Sequence, residues 1–437
     1  MSLNIAFLPS AVQGVVQDGI LQSRFLDSLT PVRRWRTLAQ RILHTGRIGE
    51  KVTMTRPGLI SPSTEASATL AAGGEPDLLA RSIEKFSFQV RSMGKALDIQ
   101  LPASFFAQAS TFLDDSEKLG IQAEMTLDGI ARERLIRAYS GGDTFTEDNP
   151  GATTSVDVAD CTGFDTVMVN GDPTAVSVSN TLPVTIGGTA RLVSACVADD
   201  ASSPPRGPGT LTITVALDYA QFDRVLRTDA ATIVRQTSRA TDRLIVAGDT
   251  ATMATFRRAK QVLVDHFVPP IDGAGNHGCA ISATTKNALF ADTEILNANQ
   301  GRGAEAGGVA DGRIGTFAGI AFFELPQERM PASLSGGNLQ TTIQRSLMYG
   351  ADALVEAYVP EEEFANQASP AAVAGMNHLK MPIDEVLAMV YRAPLDTYGR
   401  QVRAAWVANV DFVVPSDVNG LSGAQRFKRA CMIHTAG

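Results

Sequence analysis

From residue 103 to residue 139, apolar side chains recur at helical spacing: Phe105, Ala109, Phe112, Leu119, Ala123, Leu127, Ile130 and Ala138. Asp114, Glu117, Lys118, Glu124, Arg132 and Glu133 fill most of the other positions, so one face is predicted to be buried and the other wet. Pro102 suits the first turn and Ser140-Gly141-Gly142-Asp143 supplies a stop. At 1.5 Å per residue such a helix is ~55 Å long, far beyond the usual three or four turns. A chain that contains it must be organised along a spine. Gly120 and Gly129 are where a kink is expected. Phe105, Phe112, Leu119, Leu127 and Ile130 are the candidate packing residues of this segment, taken as 102–150 with its C-terminal stop.

The segments before the helix have less to pack against. Residues 46–101 read as a long hairpin: Val52 and Met54 alternate with polar neighbours on one side, and Phe86, Phe88 and Val90 on the other. Between them lies a tip rich in Gly, Pro, Ser, Thr and Ala. A two-stranded ribbon is marginal alone in water, so its apolar face is expected to lie on its own domain or on a neighbouring subunit. Residues 1–45 read as an arm. Over residues 1–47 six arginines (24, 33, 34, 36, 41 and 47) face only Asp18 and Asp27, a net charge of about +4. That pattern reads as a solvated face, or as an arm laid against something acidic.

After the helix the composition changes. Residues 151–214 contain no lysine or glutamate, are rich in Val and Thr, and are punctuated by "NGDP", "GG" and "PPRGPG". They read as a small all-β module inserted in a mixed host. Six aspartates against Arg191 and Arg206 give it about −4. Mixed α/β character returns over 215–390: a helix in "TMATFRRAKQVLVDHFVPP" stopped by Pro269, a buried strand "HGCAISAT", and the glycine-bounded strand in "DGRIGTFAGIAFFELP". Strands close the sequence over 391–437.

The search for chemistry returns little. "GRGAEA" at Gly301 formally fits a dinucleotide fingerprint, but neither a strand before it nor a helix after it is predicted, so it reads as a loop. No P-loop, H-E-x-x-H or G-x-S-x-G motif occurs. The histidines (44, 266, 277, 378 and 434) are scattered without i, i+4 pairing, and His277 with Cys279 offers two ligands, too few for zinc. No catalytic residue, cofactor or metal is expected. Trp35 and Trp406 read as core or interface anchors. Cys161, Cys196, Cys279 and Cys431 form no C-x-x-C pair and read as buried thiols of a protein made in a reducing compartment. A net charge of −8 argues against a dedicated nucleic-acid binder. No apolar run spans a membrane and no leader is evident, so a soluble, intracellular product is expected.

The order of these parts is more informative than any site. "AKQVLVDHFVPPIDGAGNHGCAISATTKNALFADTE", "GRIGTFAGIAFFELP" and "YRAPLDTYGRQVRAAWVANVDFVVPSD" occur in that order behind an arm, a hairpin and a spine helix. The whole resembles the major capsid protein of tailed double-stranded-DNA bacteriophages, the Hong Kong 97-type fold, over nearly all of the chain except 151–214. The resemblance implies an α+β architecture with an N-arm, an E-loop at 46–101, a P domain with a spine helix, an A domain, and here an added β domain. It implies a structural role in the phage head, with pentamers and hexamers of the chain forming an icosahedral shell around double-stranded DNA held without sequence specificity. Scaffolding and portal proteins, and cement or decoration proteins, are the partners it implies. Val52, Met54, Phe86, Phe88 and Val90 would make the inter-subunit contact, and Gly312, Gly315 and Gly319 would serve turns and close backbone approach. Some relatives join an E-loop lysine to an asparagine of a neighbour. Lys51 and Lys85 are available, but nothing marks an asparagine partner, so no cross-link is expected. Charge suggests the arm on the inner or inter-subunit side and the insertion outside. The alternatives are an encapsulin-like compartment shell, a cytosolic multidomain enzyme with a Gly-rich ligand loop, and a β-rich adhesin or tail protein.

Overall fold

A computed structural model describes residues 34–44, 51–57, 83–100, 110–169, 172–202, 204–300, 315–360, 378–382, 384–392, 401–416 and 426–437. Phe105, Gly312, the 58–82 hairpin tip and the "GRGAEA" stretch lie outside them. The chain divides into two compact units.

The first unit draws on Met1–Val52, Ser87–Arg132 and Leu354–Val413. Its sheet is built around the long strand Gln401–Val413, whose far end pairs with Leu354–Tyr358 and whose body pairs with Leu387–Arg392 on one side and Arg91–Gln100 on the other. Ala39–Leu43 runs parallel to Leu354–Tyr358. The sequence pattern predicts one strand through Val90 to Ser92. Instead the pairing changes there: Ile83–Gln89 belongs to a two-stranded ribbon with Lys51–Pro57, and Arg91–Gln100 joins the sheet. Fully buried Val90 is the hinge between these pairings.

Helix α1 spans Ser110–Ser140 without a break, passing through Gly120 and Gly129 where a kink was expected. Among the described residues, its buried apolar side chains follow a strict four-residue step: Leu119, Ala123, Leu127, Ala131, Leu135 and Tyr139. A step of four against 3.6 residues per turn rotates the stripe ~40° each time, so it winds around the helix. That winding corrects the predicted face: Ile130 falls off the stripe and is only half-buried, while Ala131 and Leu135 take its place. Phe112 lies within α1, but its side chain is outside the described set.

The second unit draws on Thr53–Phe86, Glu133–Ala353 and Val414–Gly437. Its first part is a β-barrel. Six strands pair in the order Asp143–Phe145, Arg224–Arg227, Leu182–Ile186, Thr189–Ala198, Gly209–Leu217 and Thr153–Val158. The two ends of that path also meet: Thr146 bridges Val158, and the Ala159 N–H donates to the Phe145 carbonyl at 3.1 Å. The sheet therefore closes on itself and leaves no free edge. Val156, Val158, Phe164, Leu182, Val184, Ile186, Val193, Leu211, Ile213 and Val225 fill it. The module is larger than the predicted 151–214, because short strands at 143–145 and 224–227, each with charged residues, complete the closure.

Glycine makes the junction of α1 with this barrel possible. A Cβ on Gly141 would stand 2.4 Å from the Arg137 carbonyl oxygen, and one on Gly163 would stand 2.8 Å from the Gly141 Cα. Gly142 and Gly163 also hold φ of +87° and +83°.

The second part is a mixed sheet: Ile233–Arg235, Ala430–Ala436, Ile343–Tyr349, His277–Ser282, Ile320–Leu325 and Thr316–Phe317 in that order. Helix α2 (Met253–Asp265) lays Met253, Phe256, Ala259 and Leu263 on it, giving a core with Cys279, Ile281, Ile320, Met348, Cys431 and Ile433. Helix α3 (Ala283–Phe290) starts at Ser282, whose hydroxyl accepts the Thr285 N–H at 3.2 Å. Helix α4 (Thr293–Gln300) follows.

Candidate functional site

The ribbon is the first candidate for an assembly surface. In its strand Lys51–Pro57, Val52 and Met54 are half-buried between the exposed Lys51, Thr53 and Thr55. The opposite strand differs. Phe86 and Phe88 are buried by this same chain, at 6% and 3% exposure, and the His44 ring meets Phe88 edge-on at 5.7 Å between centroids. This corrects the expectation that the whole apolar face waits for a neighbour: Phe86, Phe88 and Val90 are already covered, because the ribbon's base turns into the sheet. Val52 and Met54 keep apolar surface that the chain leaves partly uncovered.

Of the two readings of the arm, Arg36 and Arg41 fit the one that lays it against acidic groups, here carboxylates of the same chain. Arg36 and Arg41 are engaged within the chain rather than solvated. Arg36 is fully buried, with Nη1 donating to Glu124 Oε2 at 2.7 Å and Nε to Glu356 Oε1 at 2.9 Å. Arg41 Nε donates to the other Glu356 oxygen at 3.3 Å. Beside them Asp128 Oδ1 accepts the backbone N–H groups of Arg34, Trp35 and Arg36 at 3.0, 2.6 and 3.1 Å, which fixes the 3-10 turn Trp35–Leu38. Glu124 and Asp128 sit one residue beyond the apolar stripe of α1, at its own four-residue spacing. Trp35 and Trp406 are both buried, and the Trp406 indole N–H donates to Gln122 Oε1 at 2.6 Å. Periodicity alone had assigned Glu124 to the wet face.

A second buried polar cluster lies at the barrel's base in the other unit. Asp143 takes a bidentate contact from Arg224 at 3.0 and 2.7 Å, and Arg235 Nη1 at 2.9 Å. Arg235 Nε also donates to Asp242 at 2.5 Å, and His434 Nδ1 faces the same carboxylate at 2.9 Å. Burial raises the Asp242 pKa, but the neighbouring His434 and Arg235 outweigh it and hold the carboxyl well below the usual range. His277 is buried with Nε2 at 3.2 Å from the Val268 carbonyl, and burial keeps its pKa below the usual histidine range. Among the described residues no group of three or more His, Cys, Asp or Glu is arranged to hold a metal ion. Among them, too, no helix is long and apolar enough to cross a membrane.

The glycine-bounded strand is a sheet element. Ala318 and Gly319, with φ of +52° and +72°, form a two-residue turn between the paired Phe317 and Ile320. Gly315 also has positive φ, +64°. Ile320–Leu325 then runs parallel to His277–Ser282 inside the sheet.

A solved phage-capsid structure shares this fold. The chain is similar to the capsid of cyanophage Pam1 at 11% identity and a TM-score of 0.51, over 94% of this chain and 92% of that one. It is also similar to the capsid of Ralstonia phage GP4, at 12% identity and a TM-score of 0.49, over 92% and 87%. The chain thus has the Hong Kong 97-type capsid fold, carrying a closed barrel. No protein-family model matches it. No curated protein sequence matches it either.

Proposed function

We propose that this chain is a structural shell subunit: copies of it assemble through pentamers and hexamers into the icosahedral head of a tailed phage, around double-stranded DNA. The observation that carries this reading is the capsid fold over 94% of the chain. Head-to-tail contacts between different patches generate rings when the rotation closes, and rings close into shells. Val52 and Met54 supply one such patch. Scaffolding, portal and decoration proteins are the partners such a head uses. The net charge of −8 suits a wall that does not grip its DNA. With Arg36 and Arg41 engaged internally, the arm is a weaker cation than its composition suggests, and the case for placing it inward rests on its other arginines. The barrel projects outward.

Electron microscopy of the full-length chain, expressed alone and with a scaffolding protein, tests the reading. Closed shells of uniform size are expected, with barrel density on the outer surface. A chain that stays monomeric in both cases overturns it. The double variant Val52→Asp with Met54→Asp is expected to keep its circular dichroism but lose shell formation. Shells as abundant as the parent's would remove the ribbon from the contact.

A further inference from the structure

Two thiols face each other inside the barrel. Cys161 is fully buried and follows the strand Thr153–Val158, while Cys196 is half-buried on Thr189–Ala198. Cys161 Sγ lies 3.7 Å from the carbonyl oxygen of Val197, and Cys196 Sγ lies 3.8 Å from the carbonyl oxygen of Cys161. The Cys196 sulfur therefore sits against the Cys161 backbone, and the Cys161 sulfur against the residue that follows Cys196. The room comes from Gly209, where a Cβ would stand 2.7 Å from Cys161 Sγ. Contact with the Cys196 thiol, then burial, push the Cys161 thiol well above the usual thiol range.

The other two cysteines make a contrast. Cys279 and Cys431 are buried on one face of the mixed sheet, but Met348 is the register partner of both, so a whole strand separates them. Two strand spacings place their Cα atoms ~9.5 Å apart, beyond the ~7 Å that a disulfide can bridge.

We propose that Cys161 and Cys196 form a dithiol site that a hydroperoxide oxidises to a disulfide within the barrel, while Cys279 and Cys431 stay reduced. Cys196, the more accessible, attacks first. Its sulfur takes the distal oxygen of hydrogen peroxide, the O–O bond breaks, and the thiol proton leaves with the departing hydroxide as water. The Cys161 sulfur then displaces the oxygen from the sulfenic acid, the S–S bond forms, and a second water leaves with the Cys161 proton. Two thiols and one peroxide give one disulfide and two waters, with two electrons passing from sulfur to peroxide. Because the Cys161 thiol is held above the usual range, its step, the closing of the disulfide, is slow at neutral pH and faster as pH rises. The bond closes a loop from 161 to 196 and restrains the barrel from opening. This site is internal to one chain and does not depend on the shell reading.

The test uses the full chain, purified reduced, treated with hydrogen peroxide, then denatured and labelled with a maleimide. The four thiols of the reduced chain are expected to fall to two. A peptide map should join Cys161 to Cys196, and amide exchange across Thr189–Ala198 should slow by about tenfold or more. Cys196→Ser is expected to keep all three of its remaining thiols. The proposal is overturned by four thiols surviving prolonged peroxide, by loss of Cys279 or Cys431 instead, or by a bridge between chains. The peptide map of the unmodified sequence decides this even where Cys196→Ser folds poorly.

Discussion

The barrel and the first unit solve the problem of a core in opposite ways. The barrel takes its strands from one run of chain, 143–227, and fills its interior with apolar side chains. The first unit collects three distant stretches and places a guanidinium and two carboxylates at its centre, Arg36 with Glu124 and Glu356, all wholly buried. Burying apolar area stabilises without regard to direction, whereas a buried ion pair stabilises little in net terms and is costly when broken. The first unit thus gains a penalty against wrong assembly: a misplaced 34–43 segment would leave two buried carboxylates uncompensated.

Arg36→Met gives the largest expected effect and the sharpest test of this contrast. It should destabilise the first unit by about 3–5 kcal/mol in denaturant unfolding and leave the barrel's transition in place. Adding Glu124→Leu and Glu356→Leu should recover most of the loss. A triple variant as unstable as the single one would break the comparison. Leu211→Ala in the barrel should cost about 3 kcal/mol from the lost burial and the cavity it leaves, with only the barrel's transition moving. Gly163→Ala should cost about 2 kcal/mol, because both its positive φ and its approach to the Gly141 backbone oppose a side chain.

A smaller effect is expected in acid. Burial raises the Asp229 pKa, but Arg227, at 2.6 Å, and Arg426, at 3.0 Å, outweigh it, so the carboxyl titrates below its usual range. Since the folded pKa is the lower one, its stabilisation is complete above the unfolded value of about 3.9 and is lost as pH falls from there through the folded value. Asp229→Asn should destabilise most at pH 7, where the ion pair is fully formed, and least in acid, so that the acid limb of the stability curve flattens. An unchanged acid limb would show that the pair contributes nothing.

The same contrast explains what was readable in the residues. Barrel strands such as "LPVTI" alternate, and alternation is a local signal that survives without knowledge of partners. The closing strands at 143–145 and 224–227 were missed because Asp143, Arg224 and Arg227 carry no apolar alternation. The length of α1 was legible, but its winding stripe was not, and neither was the burial of Glu124, whose partner Arg36 is 88 residues away. Polar residues are read as wet unless their partner is known, and partners across such separations leave no periodic trace. The ribbon's turn at Val90 was hidden for a related reason: alternation continues through it while the pairing partner changes.

The barrel's closure also fixes how it is attached. The chain goes in and comes out side by side, with Asp143 paired to Leu226 and the Arg227 N–H donating to the Gly142 carbonyl at 2.7 Å. A bud on so narrow a stem is separable: a short linker between 142 and 227 could replace it, or a foreign domain whose termini lie equally close could be grafted there. A chain with such a stem can exchange the module it carries while keeping the strand pairings on either side of it.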